Sequence, residues 1–164
     1  MYRPVLLCEM KLSLVLGLVA LVVGGCTSPS GKTAEDALGT PGEQIQAYID
    51  ANDISNEQTT STGLVYVIEE PGGPAHPTVD DRVTIHYVGY LVDGTVFDQT
   101  RGASSSFALR QLIPAWQEAL PLIGKGGKIK ILAPPNTAYG NNPPRGTPIT
   151  AQSVLVFDIA LIDF

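Results

Sequence analysis

From Leu64 onward the apolar residues recur with a period of two, and that rhythm restricts most of the chain to a sheet-based fold. In GLVYVIEE, Leu64, Tyr66 and Ile68 alternate with Val65 and Val67, and Pro71-Gly72-Gly73-Pro74 stops the run. DRVTIHYVGYLVDGTVFD holds two further runs about Asp93-Gly94, the strongest short hairpin signal. Its alternation puts Val83, Ile85 and Tyr87 on one face and Thr84, His86 and Val88 on the other. GGKIKILAPP buries Ile129 and Ile131 and turns Lys128 and Lys130 to water, and VLVFDIALIDF reads as a long apolar strand. LRQLIPAWQEALPLI breaks the rhythm: Leu112, Trp116 and Leu120 follow a helical spacing, Pro114 is tolerated in a first turn and Pro121 closes the end. The pattern predicts an α+β domain of about five antiparallel strands covering one short helix.

The N-terminal part has a different character. From Met10, MKLSLVLGLVALVVGGC gives one lysine and then fourteen uncharged residues, Leu12 to Gly25. A bilayer-spanning helix needs roughly 20 residues, whereas an apolar stretch of about 7 to 15 behind a cationic start suits a secretory signal. Met10 reads as the start of a complete signal without residues 1–9. Val23-Gly24-Gly25-Cys26 resembles a bacterial lipobox, which implies residues 1–25 as signal peptide and Cys26 as a lipidated mature N-terminus. The plainer alternative is a free or buried cysteine beside an ordinary cleavage site. Residues 26–60 then form a tether: 27–41 are small, polar and turn-prone, and GEQIQAYIDAN predicts a short helix over 42–52 with Ile45, Tyr48 and Ile49 on one stripe. That helix is expected at the domain edge, and the folded domain over 61–164.

Composition excludes several functions. A net charge of −6, becoming −7 once Arg3, Lys11 and Glu9 leave with the signal, offers no basic surface for nucleic acid. Both cysteines, Cys8 and Cys26, precede the domain, and two histidines give it no recognisable metal site, so neither metal nor cofactor is expected. There is no phosphate-binding glycine loop and no nucleophile elbow.

The order of motifs is more specific than any one of them. HYVGYLVDGTVFD, LIPAWQEAL, GGKIKILAPPNTAYG and VLVFDIALI, in that order over about 63–164, resemble the FKBP-type peptidyl-prolyl cis-trans isomerases. The tether, the helix and TSTGL are similar to those of the family's envelope lipoproteins in Gram-negative bacteria. The resemblance implies an FKBP-like twisted antiparallel sheet wrapped around the helix, with a pocket between them. It assigns Tyr87, Phe97, Asp98 and Tyr139 as catalytic, and Leu112, Ile113, Trp116, Phe157 and Ile149 as substrate-binding, Ile149 on an overhanging loop. Spacing alone would make Trp116, Phe157 and Ile113 ordinary core residues. Asp98 could end a strand and Tyr139 could staple its loop. Ser105 stands where the family often has an aromatic flanking the pocket, and Ala115 and Ala119 replace glycines.

The activity so implied is acceleration of X-Pro isomerisation during folding of exported proteins. The alternatives are a non-catalytic module that binds proline-containing segments and an envelope chaperone. Expected partners are proline-containing unfolded or nascent exported chains, the membrane through the lipid anchor, and macrolides as competitors. The expected location is the cell envelope, with Thr27 compatible with the outer membrane facing the periplasm.

Overall fold

The computed structural model describes residues 39–164. The signal segment, Cys26 and the first part of the tether lie outside the described residues. Helix α1 (Pro41–Ala51) is followed by β1 (Gln58–Thr59), β2 (Val65–Glu70), β3 (Arg82–Leu91), β4 (Val96–Gln99), β5 (Ser105–Ala108), α2 (Pro114–Ala119), β6 (Lys128–Ala133) and β7 (Leu155–Asp163). Single 3-10 turns occupy Leu109–Gln111, Leu120–Leu122 and Pro135–Thr137.

All seven strands join one antiparallel sheet in the order β1-β2-β6-β7-β3-β4, with β5 also paired to β3. The expected five strands become seven because β1 is too short to show a period and because the outer edge of β3 is shared. β5 pairs with Arg82–Ile85, and β4 pairs with Val88–Tyr90. Between them Thr100 bridges the gap: its N–H donates to Tyr87 O at 3.0 Å, and its Oγ1 accepts from Tyr87 N at 3.1 Å.

Alternation along the strands gives the sheet two apolar faces. Ile131, Ala133, Leu155, Phe157, Ile159, Val83 and Ile85 pack with Ala115, Trp116 and Ala119 of α2. Their neighbours Leu132, Val154 and Val156, with Val65, pack on the opposite face under Ile45 and Ile49 of α1. Pro114 opens α2 at its first turn, and Pro121 lies in the 3-10 turn that follows it. Both prolines occupy positions where no interior helical hydrogen bond is lost.

Three expectations change here. α1 covers a sheet face rather than a domain edge, and β1 is bonded to β2, so the sheet extends N-terminal to the boundary expected at residue 61. The apolar stripe of α1 is local information, whereas its partners on β6 and β7 are distant in sequence. Lys130 also differs: it is mostly buried and paired with Asp158, with Tyr90 Oη at 3.1 Å, because Asp158 lies opposite it on β7. Lys128 remains exposed, as expected, and pairs with Glu70 at 2.7 Å.

Candidate active site

A cleft of about 240 Å³ opens between α2 and the inner face of the sheet. β3 supplies Tyr87, β4 supplies Phe97 and Asp98, β5 supplies Phe107, and β7 supplies Phe157. Gln111, Leu112 and Ile113 line it from the chain leading into α2, Trp116 from α2 itself, and Tyr139 from the loop after β6.

The aromatic rings form a continuous edge-to-face array. Tyr87 meets Trp116 at 5.0 Å between centroids and 79°, Trp116 meets Phe157 at 5.2 Å and 88°, and Phe157 meets Phe97 at 5.5 Å and 88°. Such pairs set a positive ring edge against a negative ring face, and this fixes the walls more firmly than area alone. The Trp116 Nε1 is buried and has no acceptor among the described residues.

One polar pair is built into this apolar setting. Tyr87 Oη donates to Asp98 Oδ2 at 2.6 Å, and Asp98 Oδ1 accepts from the Gln99 N–H at 2.9 Å. Burial, and then the bond to Asp98, pushes the Tyr87 phenol well above its ordinary range. Tyr139 is raised as well, first by burial and then by the negative charge of Asp98. Both hydroxyls stay protonated at neutral pH; the Tyr87 O–H is already given to Asp98, which leaves the Tyr139 O–H as the one that can donate to a ligand.

Of the residues assigned from the sequence, Tyr87, Phe97, Asp98, Leu112, Ile113, Trp116, Tyr139 and Phe157 come together in this cleft. Ile149 does not line it: its side chain is 7% exposed and inserts into the core cluster that also holds Trp116 and Phe157. Cys26 lies outside the described residues. Two lining residues escaped the sequence reading, Phe107 and Gln111. Phe107 stands 6.5 Å from Tyr87 between centroids and supplies a wall two residues beyond Ser105, where an aromatic was missing.

Gly89 was also missed. A Cβ there would stand 2.8 Å from Phe97 Cε2 and 2.9 Å from Phe157 Cε1, so the contact of those two rings exists only because position 89 has no side chain. A glycine inside a strand pattern was the available signal, since it weakens a strand unless something approaches closely.

Fold and cleft together define a class, and sequence comparison agrees with it. The chain belongs to the FKBP-type peptidyl-prolyl cis-trans isomerase family, whose sequence model matches residues 73–162. Among its relatives is the FKBP-type peptidyl-prolyl cis-trans isomerase FkpA of Escherichia coli strain K12. It is 47% identical over 108 residues, 65% of this chain and 39% of that protein. FkpA of Buchnera aphidicola subsp. Schizaphis graminum is 46% identical over 107 residues, 63% of this chain and 42% of that one. The chain thus spans well under half the length of these curated relatives.

Solved structures give the same fold. The crystal structure of E. coli FkpA superposes with a TM-score of 0.68 at 40% identity, over 79% of this chain and 61% of that one. The 1.6 Å crystal structure of a peptidyl-prolyl cis-trans isomerase from Pseudomonas syringae pv. tomato gives a TM-score of 0.66 at 28% identity, over 85% and 98%.

Proposed function

We propose that the cleft accelerates cis-trans isomerisation of X-Pro bonds in exported proteins as they fold. The observation that carries this is the continuous aromatic array Tyr87–Trp116–Phe157–Phe97 that walls the cleft beside the Tyr87–Asp98 pair. An X-Pro bond rotates over a barrier of about 18–20 kcal/mol and takes tens to hundreds of seconds unaided. At the barrier top the amide is twisted, its resonance is broken and its carbonyl is less polar than in the planar ground state. Water favours the planar form, so a cleft that replaces water with ring faces lowers the relative cost of twisting.

In this account Phe97, Phe157, Trp116 and Ile113 hold the prolyl ring, and Phe107 and Leu112 extend the wall. Tyr139 donates to a substrate carbonyl. Asp98 acts by orienting Tyr87, and no proton leaves any group. Macrolides of the rapamycin type are expected to compete for the same cleft.

The sequence signals extend the proposal to location. The apolar run that stops at Cys26 supports a lipid-anchored envelope protein, and Thr27 supports placement at the outer membrane facing the periplasm. A single acyl chain holds a protein only marginally, so stable attachment requires the multiple chains of a lipoprotein.

NMR exchange on a Leu-Pro and Phe-Pro peptide series tests the activity. The isomerase reading expects faster cis-trans exchange with catalytic amounts of protein. A peptide that binds while its exchange rate stays unchanged would replace the enzyme with a proline-binding module.

A further inference from the structure

α1 lies outside the residues that match the family model, yet one of its side chains is buried against the end of the loop that begins after Tyr139 of the cleft. Gln44 is 6% exposed. Its Nε2 donates to Gln152 O at 3.1 Å and to Gly39 O at 3.2 Å, and its Oε1 accepts from the Val154 N–H at 3.4 Å. One side-chain amide thus bridges the backbone on both sides of Ser153, as a neighbouring strand would, using both of its donors and its acceptor.

The segment it holds is the end of a long loop. That loop leaves Tyr139 and runs to Leu155, two residues before Phe157, and both Tyr139 and Phe157 line the cleft. Between the 3-10 turn at Pro135–Thr137 and β7 it contains no helix or strand. Local contacts hold it instead. Ser153 Oγ accepts from the Thr150 N–H at 2.9 Å and lies 3.0 Å from Thr150 Oγ1, and Ile149 inserts into the core. Val154 is buried in the cluster beneath α1, and Gln44 adds hydrogen bonds from that helix to the same segment.

We propose that Gln44 is a positioning residue for the cleft: its amide clamps residues 152–154 and so holds ordered the loop whose two ends carry Tyr139 and Phe157. α1 then acts on substrate affinity as well as on stability. A loop left loose frees Tyr139 at its start, and re-ordering that residue when substrate binds is a cost that falls on KM, while the barrier inside the aromatic walls is unchanged. The kinetic half of the inference rests on the isomerase reading, and the structural half stands without it.

Three substitutions in the full chain separate these roles. Gln44→Ala removes the whole clamp, Gln44→Glu keeps the acceptor for Val154 and loses the donors, and Ile45→Ala thins the cluster that also holds Val154 while leaving the hydrogen bonds of the clamp in place. Gln44→Ala is expected to raise KM for a Phe-Pro peptide roughly three- to tenfold with kcat nearly constant, and to speed amide hydrogen exchange across 141–154 alone. Gln44→Glu should change both in the same direction, and it carries the test if the alanine variant fails to fold. Ile45→Ala should lower the melting temperature and move KM and the loop's exchange less than Gln44→Ala does. An unchanged KM in the Gln44 variants, or an equal rise in Ile45→Ala, would make the clamp ordinary packing and overturn the proposal. If the wild-type chain lacked isomerase activity, that reading would fail separately and exchange would decide for the clamp. Acceleration confined to 141–154 supports it, and an unaltered pattern sinks it.

Discussion

Removing a hydroxyl and removing a ring should have unequal consequences in this cleft. Tyr139→Phe loses one neutral hydrogen bond, about 0.5–1.5 kcal/mol, and should slow peptide isomerisation by about tenfold or less. Phe97→Ala opens a wall to water and should cost about 2 kcal/mol or more, beyond tenfold. Equal losses in the two variants would mean that the donor matters as much as the wall. Gly89→Ala forces a methyl into the Phe97–Phe157 contact, and overpacking of that kind costs about 1–3 kcal/mol. It should lower both the denaturant midpoint and the isomerisation rate; a variant with wild-type activity would show that the ring pair is not needed in that geometry. The sequence disclosed Tyr87, Phe97, Asp98, Trp116, Tyr139 and Phe157 through the order of their motifs. Phe107 was hidden because it reaches the cleft only through the shared edge of β3, which no local pattern reports, and Gln111 because it lies in a 3-10 turn with no periodicity to read. Ile149 sat in a loop, where periodicity says nothing about whether a side chain turns outward or in.

At the scale of elements, α1 is the part whose role was least legible. Its existence was readable from the stripe of Ile45, Tyr48 and Ile49, but not the sheet face that it covers. The Thr40–Glu43 capping box fixes its start: Thr40 Oγ1 accepts from the Glu43 N–H at 3.3 Å, and Glu43 Oε2 accepts from the Thr40 N–H at 2.7 Å. Thr40→Ala should lower stability by about 1 kcal/mol. Truncation to residue 61 strips both α1 and β1, exposing Leu132, Val154 and Val156. With about 1.5–3 kcal/mol for each large apolar side chain buried, that fragment should fold but unfold at a much lower denaturant midpoint. A midpoint equal to that of the longer chain would mean that α1 contributes nothing to the fold. The strands themselves were legible wherever one face is buried, because a shift of one residue would expose a whole apolar set. Lys130 shows the limit of that rule, since its partner Asp158 comes from a strand nearly thirty residues away.

For the molecule as a whole, charge and anchoring follow from different parts of the chain. Cys26→Ser should move the protein from the membrane pellet to the soluble fraction, and persistence in the pellet would contradict the lipoprotein reading. Alkaline stability follows from the buried phenols. Tyr87, Tyr90 and Tyr139 are raised above their ordinary values near 10, chiefly by burial, so the folded state holds those protons more tightly than the unfolded state. Their contribution is complete below about pH 10 and is lost as pH rises through the raised values, so the denaturant midpoint should fall in that range. A midpoint constant to about pH 12 would contradict the assigned burial. The same shifts move the cleft's hydroxyls away from neutrality, and His86 faces the other side of β3. The most direct test of catalysis by a dry aromatic wall is therefore the cis-trans exchange rate of a Phe-Pro peptide at about pH 6, 7 and 8, with wild type and with Phe97→Ala. The expected result is acceleration by the wild type that is flat across the three pH values and more than tenfold weaker in the variant. A rate that follows a titration in that window, or one that survives loss of the Phe97 ring, would contradict it.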